Sequence, residues 1–243
     1  MHSNDTDPGP STTWADHEIM WCLTVTRGIT PTELLTRYGA HQPDQVQPLT
    51  RQETEELGQR ISDETIPGTV LRVGTGNGWA FCLEEWGWVG STRDVLARLS
   101  HNTESFSLLK DARGRNIFQV WRDGHQAERF EPGMIGTRPA TPHPWWDALE
   151  QSRISSGQEH PGWETVLRSV SQHTGVSVDN ETVNSQLLTV LLRDESQGYG
   201  TTPPATRKSL GFGLQLTQSD TPRSESNEHH GAAAAVGVDV PDL

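Results

Sequence analysis

All nine tryptophans of this 243-residue chain fall between Trp14 and Trp163. Past residue 193 the sequence turns to DESQGYGTTPPATRKSLGFG, QSDTPRSESNEHH and GAAAAVGVDVPDL. That break confines any core to the middle, because polar stretches without apolar periodicity cannot offset the entropy of ordering a backbone. The reading is a disordered start over 1–13, one domain over 14–193, and a disordered low-complexity tail over 194–243. A middle of that length is ample for one core.

Charge and composition then remove whole classes. Nineteen Lys and Arg stand against 32 Asp and Glu, a net −13, of which the middle keeps −7 once start and tail are subtracted. A chain that grips phosphate backbones needs a basic face, so no nucleic-acid partner is expected. No apolar run reaches the ~18–20 residues of a bilayer span, and the acidic N-terminus is unlike a secretory signal. With two cysteines, Cys22 and Cys82, a disulfide framework is ruled out and a reducing cytoplasm is the expected location.

Within the middle, EIMWCLTV (18–25) reads as a buried strand, although a helix beginning near Ala15 fits the same residues. Thr30, Pro31 and Glu33 form a capping box with proline at the first helical position, and Gly39 ends that helix. Thr50 and Glu53 repeat the signature before a second helix. From residue 69 the period becomes two. TVLRV, the turn GTGNG and WAFCLEE make a hairpin with Trp79, Phe81 and Leu83 on one face, Cys82 and Glu84 on the other. Ser91 and Asp94 cap a third helix bearing Val95, Leu96 and Leu99. Three further strands, ESFSLLK, NIFQVW and QAERF, are joined by turns at Asp111–Gly114 and at the pair Asp123-Gly124. Two helices close the domain: Trp163, Val166, Leu167 and Val170 line one, Val183, Leu187, Leu188 and Leu191 the other. The expected fold is α+β, a single largely antiparallel sheet of five or six strands covered on one side by helices.

Candidate chemistry is sparse. Gly74, Gly76 and Gly78 have the wrong spacing for a dinucleotide loop and precede a strand, so they are read as a hairpin turn. Trp86 and Trp88 flank Gly87 in a loop. Such rings either anchor a partner or lid the core, the lid being the favoured reading, and Trp145 and Trp146 pose the same choice. If neighbouring strands bring them together, Glu84, His101 and Glu104, with Arg27, make an acid–base cluster at one rim of the sheet. Scattered surface acids are the competing reading. No metal site or cofactor is indicated: the ten histidines are dispersed and neither cysteine has a C-x-x-C companion. Cys82 reads as an inert small hydrophobe.

Four segments, WCLTVTRGITPTELLTRYGA, RVGTGNGWAFCLEEWGWVG, DVLARLSHNTESFSL and TGVSVDNETVNSQLLTVLL, resemble in order an actinobacterial protein family of unknown function. The resemblance spans roughly residues 18–192 and implies one domain. It carries no activity with it. Arg27, Gly28, Trp79 and Glu104 sit in the matching motifs.

Three functions follow in order of expectation. The first is a non-catalytic protein-binding module, an adaptor or inhibitor, whose acidity steers it onto a basic protein and whose contacts come from Arg27, Trp86 and Trp88. The second is an enzyme working at the sheet rim. The third is a small-ligand sensor with an apolar cavity.

Overall fold

In the computed structural model, residues 13–40, 45–63, 68–157 and 162–193 are described. The expected disordered start up to residue 12 and the tail 194–243 lie outside the described residues. The strands are β1 (Trp21–Arg27), β2 (Gln47–Leu49), β3 (Gly68–Gly76), β4 (Trp79–Glu85), β5 (Glu104–Lys110), β6 (Asn116–Arg122), β7 (His125–Phe130) and β8 (Leu187–Arg193). The helices are α1 (Trp14–His17), α2 (Pro31–Tyr38), α3 (Arg51–Asp63), α4 (Arg93–Leu99), α5 (Pro144–Ser155), α6 (Trp163–Thr174) and α7 (Asn180–Asn184). All eight strands join one sheet in the order β2-β8-β3-β4-β1-β5-β6-β7, and every neighbouring pair is antiparallel. The α+β class therefore stands, with eight strands among the described residues in place of five or six.

Helices cover both faces, not one. Trp21, Leu23 and Val25 of β1, Trp79, Phe81 and Leu83 of β4, and Phe106 and Phe118 pack against Trp145, Trp146, Trp163, Val166 and Val170 of α5 and α6. On the other face, Leu71, Val73, Ala80, Cys82 and Val190 meet Leu34, Leu35 and Tyr38 of α2 and Val95, Leu96 and Leu99 of α4. The alternation expected for Trp79, Phe81 and Leu83 holds. Its other half, Ala80 and Cys82, is equally buried, because a central strand under two helical layers has no solvent side.

The second face contains a polar strip: Thr24, Thr26, Ser105, Ser107 and Gln119 are all buried. The pairs Thr26–Ser105 (2.9 Å) and Gln119 Nε2 to the Ser91 carbonyl (3.0 Å) satisfy part of it. A buried ion pair ties the sheet to α7. Arg72 of β3, fully buried, donates to Glu85 at 3.0 Å and to the carbonyls of Val183 (2.8 Å) and Ser185 (3.1 Å). Arg51 of α3 also reaches Glu85, at 3.6 Å, and pairs with Glu18. Burial pulls the Arg72 guanidinium down and pushes the Glu85 carboxyl up from their ordinary values, the charge of each partner opposing the shift.

The punctuation read from the sequence is largely realised. The Glu33 N–H donates to Thr30 Oγ1 at 3.1 Å, and Gly39 closes α2 in a left-handed conformation. Thr50 and Glu53 exchange bonds in both directions, 2.7 Å from the Thr50 N–H and 3.3 Å from the Glu53 N–H. Asn77-Gly78 and Asp123-Gly124 have φ of 48° and 76°, and of 50° and 78°, the paired positive values of two-residue hairpin turns. Gly74 and Gly76 lie inside β3, and a side chain at Gly74 would collide with the Phe81 ring. Because Thr30 supplies the only side-chain acceptor at the start of α2 among the described residues, Thr30→Ala is expected to lower stability by about 1 kcal/mol in a urea titration.

Individual elements also differ from the reading of the sequence. The leucine run after Val183 is not helical: α7 stops at Asn184 and Leu187–Arg193 forms β8 between β2 and β3. Leucines in a strand with burial on both faces satisfy helical spacing by chance. β2 was not anticipated, since three residues around Pro48 carry no period. The α4 cap is Thr92, while Ser91 belongs to a 3-10 turn, Val89–Ser91, that precedes it.

Candidate functional site

Strand register decides what meets at the rim. β1 pairs with β5 as far as Thr26 opposite Ser105, which sets Arg27 beside Glu104. β5 pairs with β6 so that Glu104 faces Arg122. The Arg122 Nε holds Glu104 Oε1 at 2.7 Å, and His173 of α6 approaches Glu104 Oε2 at 3.4 Å. His173 is edge-on to Trp79, Phe106 and Trp145, with centroids 6.0, 5.5 and 5.1 Å away. Arg27, His101 and Glu104 border one open hollow, with Gly28, Arg37, Arg122 and Asp123 also in its wall. Trp79 lies opposite Arg27 on β4, so the four motif positions Arg27, Gly28, Trp79 and Glu104 gather at this end of the sheet.

Glu84 is elsewhere. It pairs with Cys22, at the opposite end of β1 from Arg27. Five strand residues separate those levels, about 17 Å. The acid–base cluster drawn from sequence therefore loses Glu84, while His101 and Glu104 remain neighbours. Strand alternation had set Glu84 on the face opposite Phe81, and a sheet covered on both sides turns that position into core.

Glu84 is fully buried beneath the loop that links β4 to α4. Its carboxylate accepts the Val89 N–H at 2.8 Å, the Gly90 N–H at 2.6 Å and the Tyr38 hydroxyl at 3.2 Å. Tyr38 is in turn 2.8 Å from Thr24 Oγ1, so the Thr24 hydroxyl donates to the phenol. Burial pushes the carboxyl up to about 7, against the pull of the two backbone N–H groups and Tyr38. Cys22 and Cys82 share this interior. Both thiols are free, and burial raises them well above the ordinary thiol range, with the Glu84 charge adding to the effect. Neither is a nucleophile at neutral pH.

The loop above that carboxylate has a fixed shape. A side chain on Gly87 would meet Glu84 Oε2 and Thr69 Cγ2, both at 2.6 Å; one on Gly90 would meet the Tyr38 hydroxyl and Thr24. With Gly87 pressed inward, the rings on either side swing out. Trp86 is 57 % exposed and Trp88 46 %, which corrects the favoured reading of these rings as a lid. The helices already close both faces and leave them nothing to cover. Trp145 and Trp146 are the opposite case, buried at the start of α5 with their backbone N–H groups donating to the buried Glu128 carboxylate at 3.1 and 3.2 Å. Trp86 also holds φ of 64°, a left-handed conformation that disfavours an L-residue by roughly 1–2 kcal/mol. Its N–H reaches the Met20 carbonyl at 3.4 Å, beside the exposed Ile19.

Sequence reasoning missed Arg37, Arg122 and Asp123 at the rim and Tyr38 beneath the loop. Arg37 had one local signal, its i,i+4 spacing from Glu33; the others depend on which strands become neighbours. Among the described residues no group of three or more histidine, cysteine or acidic side chains is placed to hold a metal ion. Nor is any described helix long and apolar enough to cross a membrane.

The architecture defines an α+β protein built on a single antiparallel sheet between two helical layers. The chain belongs to a family of unknown function (DUF6461), whose family model matches residues 11–152. That span runs from the approach to α1 into α5 and includes the rim and the Trp86–Trp88 loop; the resembling segment at 174–192 lies beyond it. No curated protein and no solved structure matches the chain.

Proposed function

We propose that this protein is a protein-binding module that grips its partner with the Trp86-Gly87-Trp88 loop. One observation carries the reading: two large aromatic rings are held in solvent by a loop whose backbone is fastened from below by a buried carboxylate. Exposed tryptophans that become buried at an interface dominate truncation energies. A loop already fixed in shape loses little entropy on docking. Ile19, exposed as well, is next in sequence to Met20, whose carbonyl takes the Trp86 N–H. The net charge of −13 supports a basic partner, drawn in by long-range attraction that salt screens over about 8 Å.

The test takes a partner captured on the full chain and measures its binding to the parent, Trp86→Ala and Trp88→Ala. Each variant is expected to melt like the parent, since neither ring supports the core. Each is expected to weaken binding by about 2 kcal/mol, roughly thirtyfold, through a faster off-rate. Added salt should slow association alone. An acidic partner, or two folded variants that bind it unchanged, would overturn the proposal.

A further inference from the structure

The hollow at the sheet rim lies at the far end of β1 from the tryptophan loop and has a volume of about 540 Å³. Three guanidinium groups, Arg27, Arg37 and Arg122, and three carboxylates, Glu33, Glu104 and Asp123, line it together with His101. Their pairing is uneven. Arg37 has both terminal nitrogens engaged: one donates to the carbonyls of Arg98 (3.2 Å), Leu99 (2.8 Å) and His101 (3.0 Å), and the other holds Glu33 at 2.6 Å. It is a wall. Arg122 commits its Nε to Glu104 and leaves both terminal nitrogens without a partner among the described residues. Arg27 is exposed, and its guanidinium has no partner among the described residues; the Thr103 hydroxyl uses only its backbone carbonyl. The Asp123 carboxylate is likewise unpaired there, and no ion pair joins it to Arg27 or Arg122.

We infer that this pocket binds a small carboxylate ligand that also carries a hydrogen-bond donor, its carboxylate held by Arg27 and the free edge of Arg122 and its donor directed to Asp123. Arg27 and Arg122 extend from strands flanking β5, two strand spacings or about 10 Å apart at the backbone. Their arms can converge on oxygens between them. Planar guanidinium groups match a carboxylate in two-point contact. The acids of the lining set the charge class: three carboxylates offset three guanidinium groups, so the lining has no net positive charge with which to favour a polyanion over a single carboxylate. Asp123, which is exposed, then discriminates between a bare carboxylate and one bearing an ammonium or hydroxyl group, because only the second gains an added ion pair or hydrogen bond from it.

The full chain, labelled with ¹⁵N, is titrated with L-serine, acetate and inorganic phosphate at matched ionic strength, following the amides of Gly28, Asn102, Thr103 and Asp123. L-Serine is expected to shift these resonances saturably in the millimolar range, with acetate weaker and phosphate weakest. Arg27→Gln should reduce the L-serine affinity by about tenfold or more. Asp123→Asn, which keeps the left-handed turn that asparagine tolerates, should bring L-serine down to the level of acetate. Arg129→Gln, an exposed change on β7 outside the pocket, serves as the control and should leave both affinities unchanged. Matching melting curves confirm that the variants fold. The inference is overturned if L-serine gives no localised shift up to about 50 mM, well above a millimolar Kd. It is equally overturned if phosphate binds tightest, if acetate equals L-serine in the parent, or if Arg27→Gln binds like the parent.

Discussion

Glu84→Ala is expected to destabilise the protein by about 3–5 kcal/mol, because it strands two buried backbone donors at Val89 and Gly90 and opens a void beside Tyr38. Neither N–H has another acceptor among the described residues, so a loss below 1 kcal/mol would mean that the loop is not fastened from beneath. The same residue predicts a pH dependence. The Glu84 carboxyl goes from an ordinary 4.5 to about 7 on folding, so the folded state favours its protonated form. Its stabilising contribution is then complete below about pH 4.5, declines as pH rises towards 7 and is level above that. Comparison with Glu84→Gln, which cannot titrate, isolates this one group from Glu85. The stability difference should move against the parent by up to about 1.4 kcal/mol per pH unit in that window. Parallel curves between pH 4.5 and 7.5 would refute the assignment.

Arg72→Met should cost a similar amount, about 3–5 kcal/mol, since it leaves Glu85 with only the more distant Arg51 and deprives the Val183 and Ser185 carbonyls of their donor. The informative variant is the double change Arg72→Met with Glu85→Leu. Replacing both charges by apolar groups removes the uncompensated carboxylate, so the double variant should be more stable than Arg72→Met alone. If it is less stable in urea, the ion pair is not the reason Arg72 matters, and its hydrogen bonds to the carbonyls that end α7 are.

Much of the structure set by neighbours in sequence was legible, the cap of α4 at Thr92 being an exception. The capping residues Thr30 and Thr50, the turns at Asn77-Gly78 and Asp123-Gly124, and the inward alternation of Trp79, Phe81 and Leu83 all express rules that act within a few residues. The candidate site depended on longer reach. That Arg27 and Glu104 meet, and that Glu84 does not join them, follows from pairing β1 with both β4 and β5, which no local period encodes. The second helical layer had the same effect at several positions. It converted Glu84 from a surface acid to a buried one, let β8 pass for a helix, and left Trp86 and Trp88 with no core to cover.

The order of the strands has one more consequence, for what this chain can do to copies of itself. A sheet that does not close exposes a backbone ladder at each side, and such ladders recruit further strands. In the described sheet the outermost strands are β2 and β7. β2 is three residues long and has Pro48, which lacks a donor, at its centre. β7 carries His125, Glu128 and Arg129, and its pairing with β6 is interrupted by a register shift at Val120/Trp121. Both flanks are thus poor templates for strand addition. Self-assembly into fibrils is disfavoured at the level of the backbone, and any specific association is left to side chains.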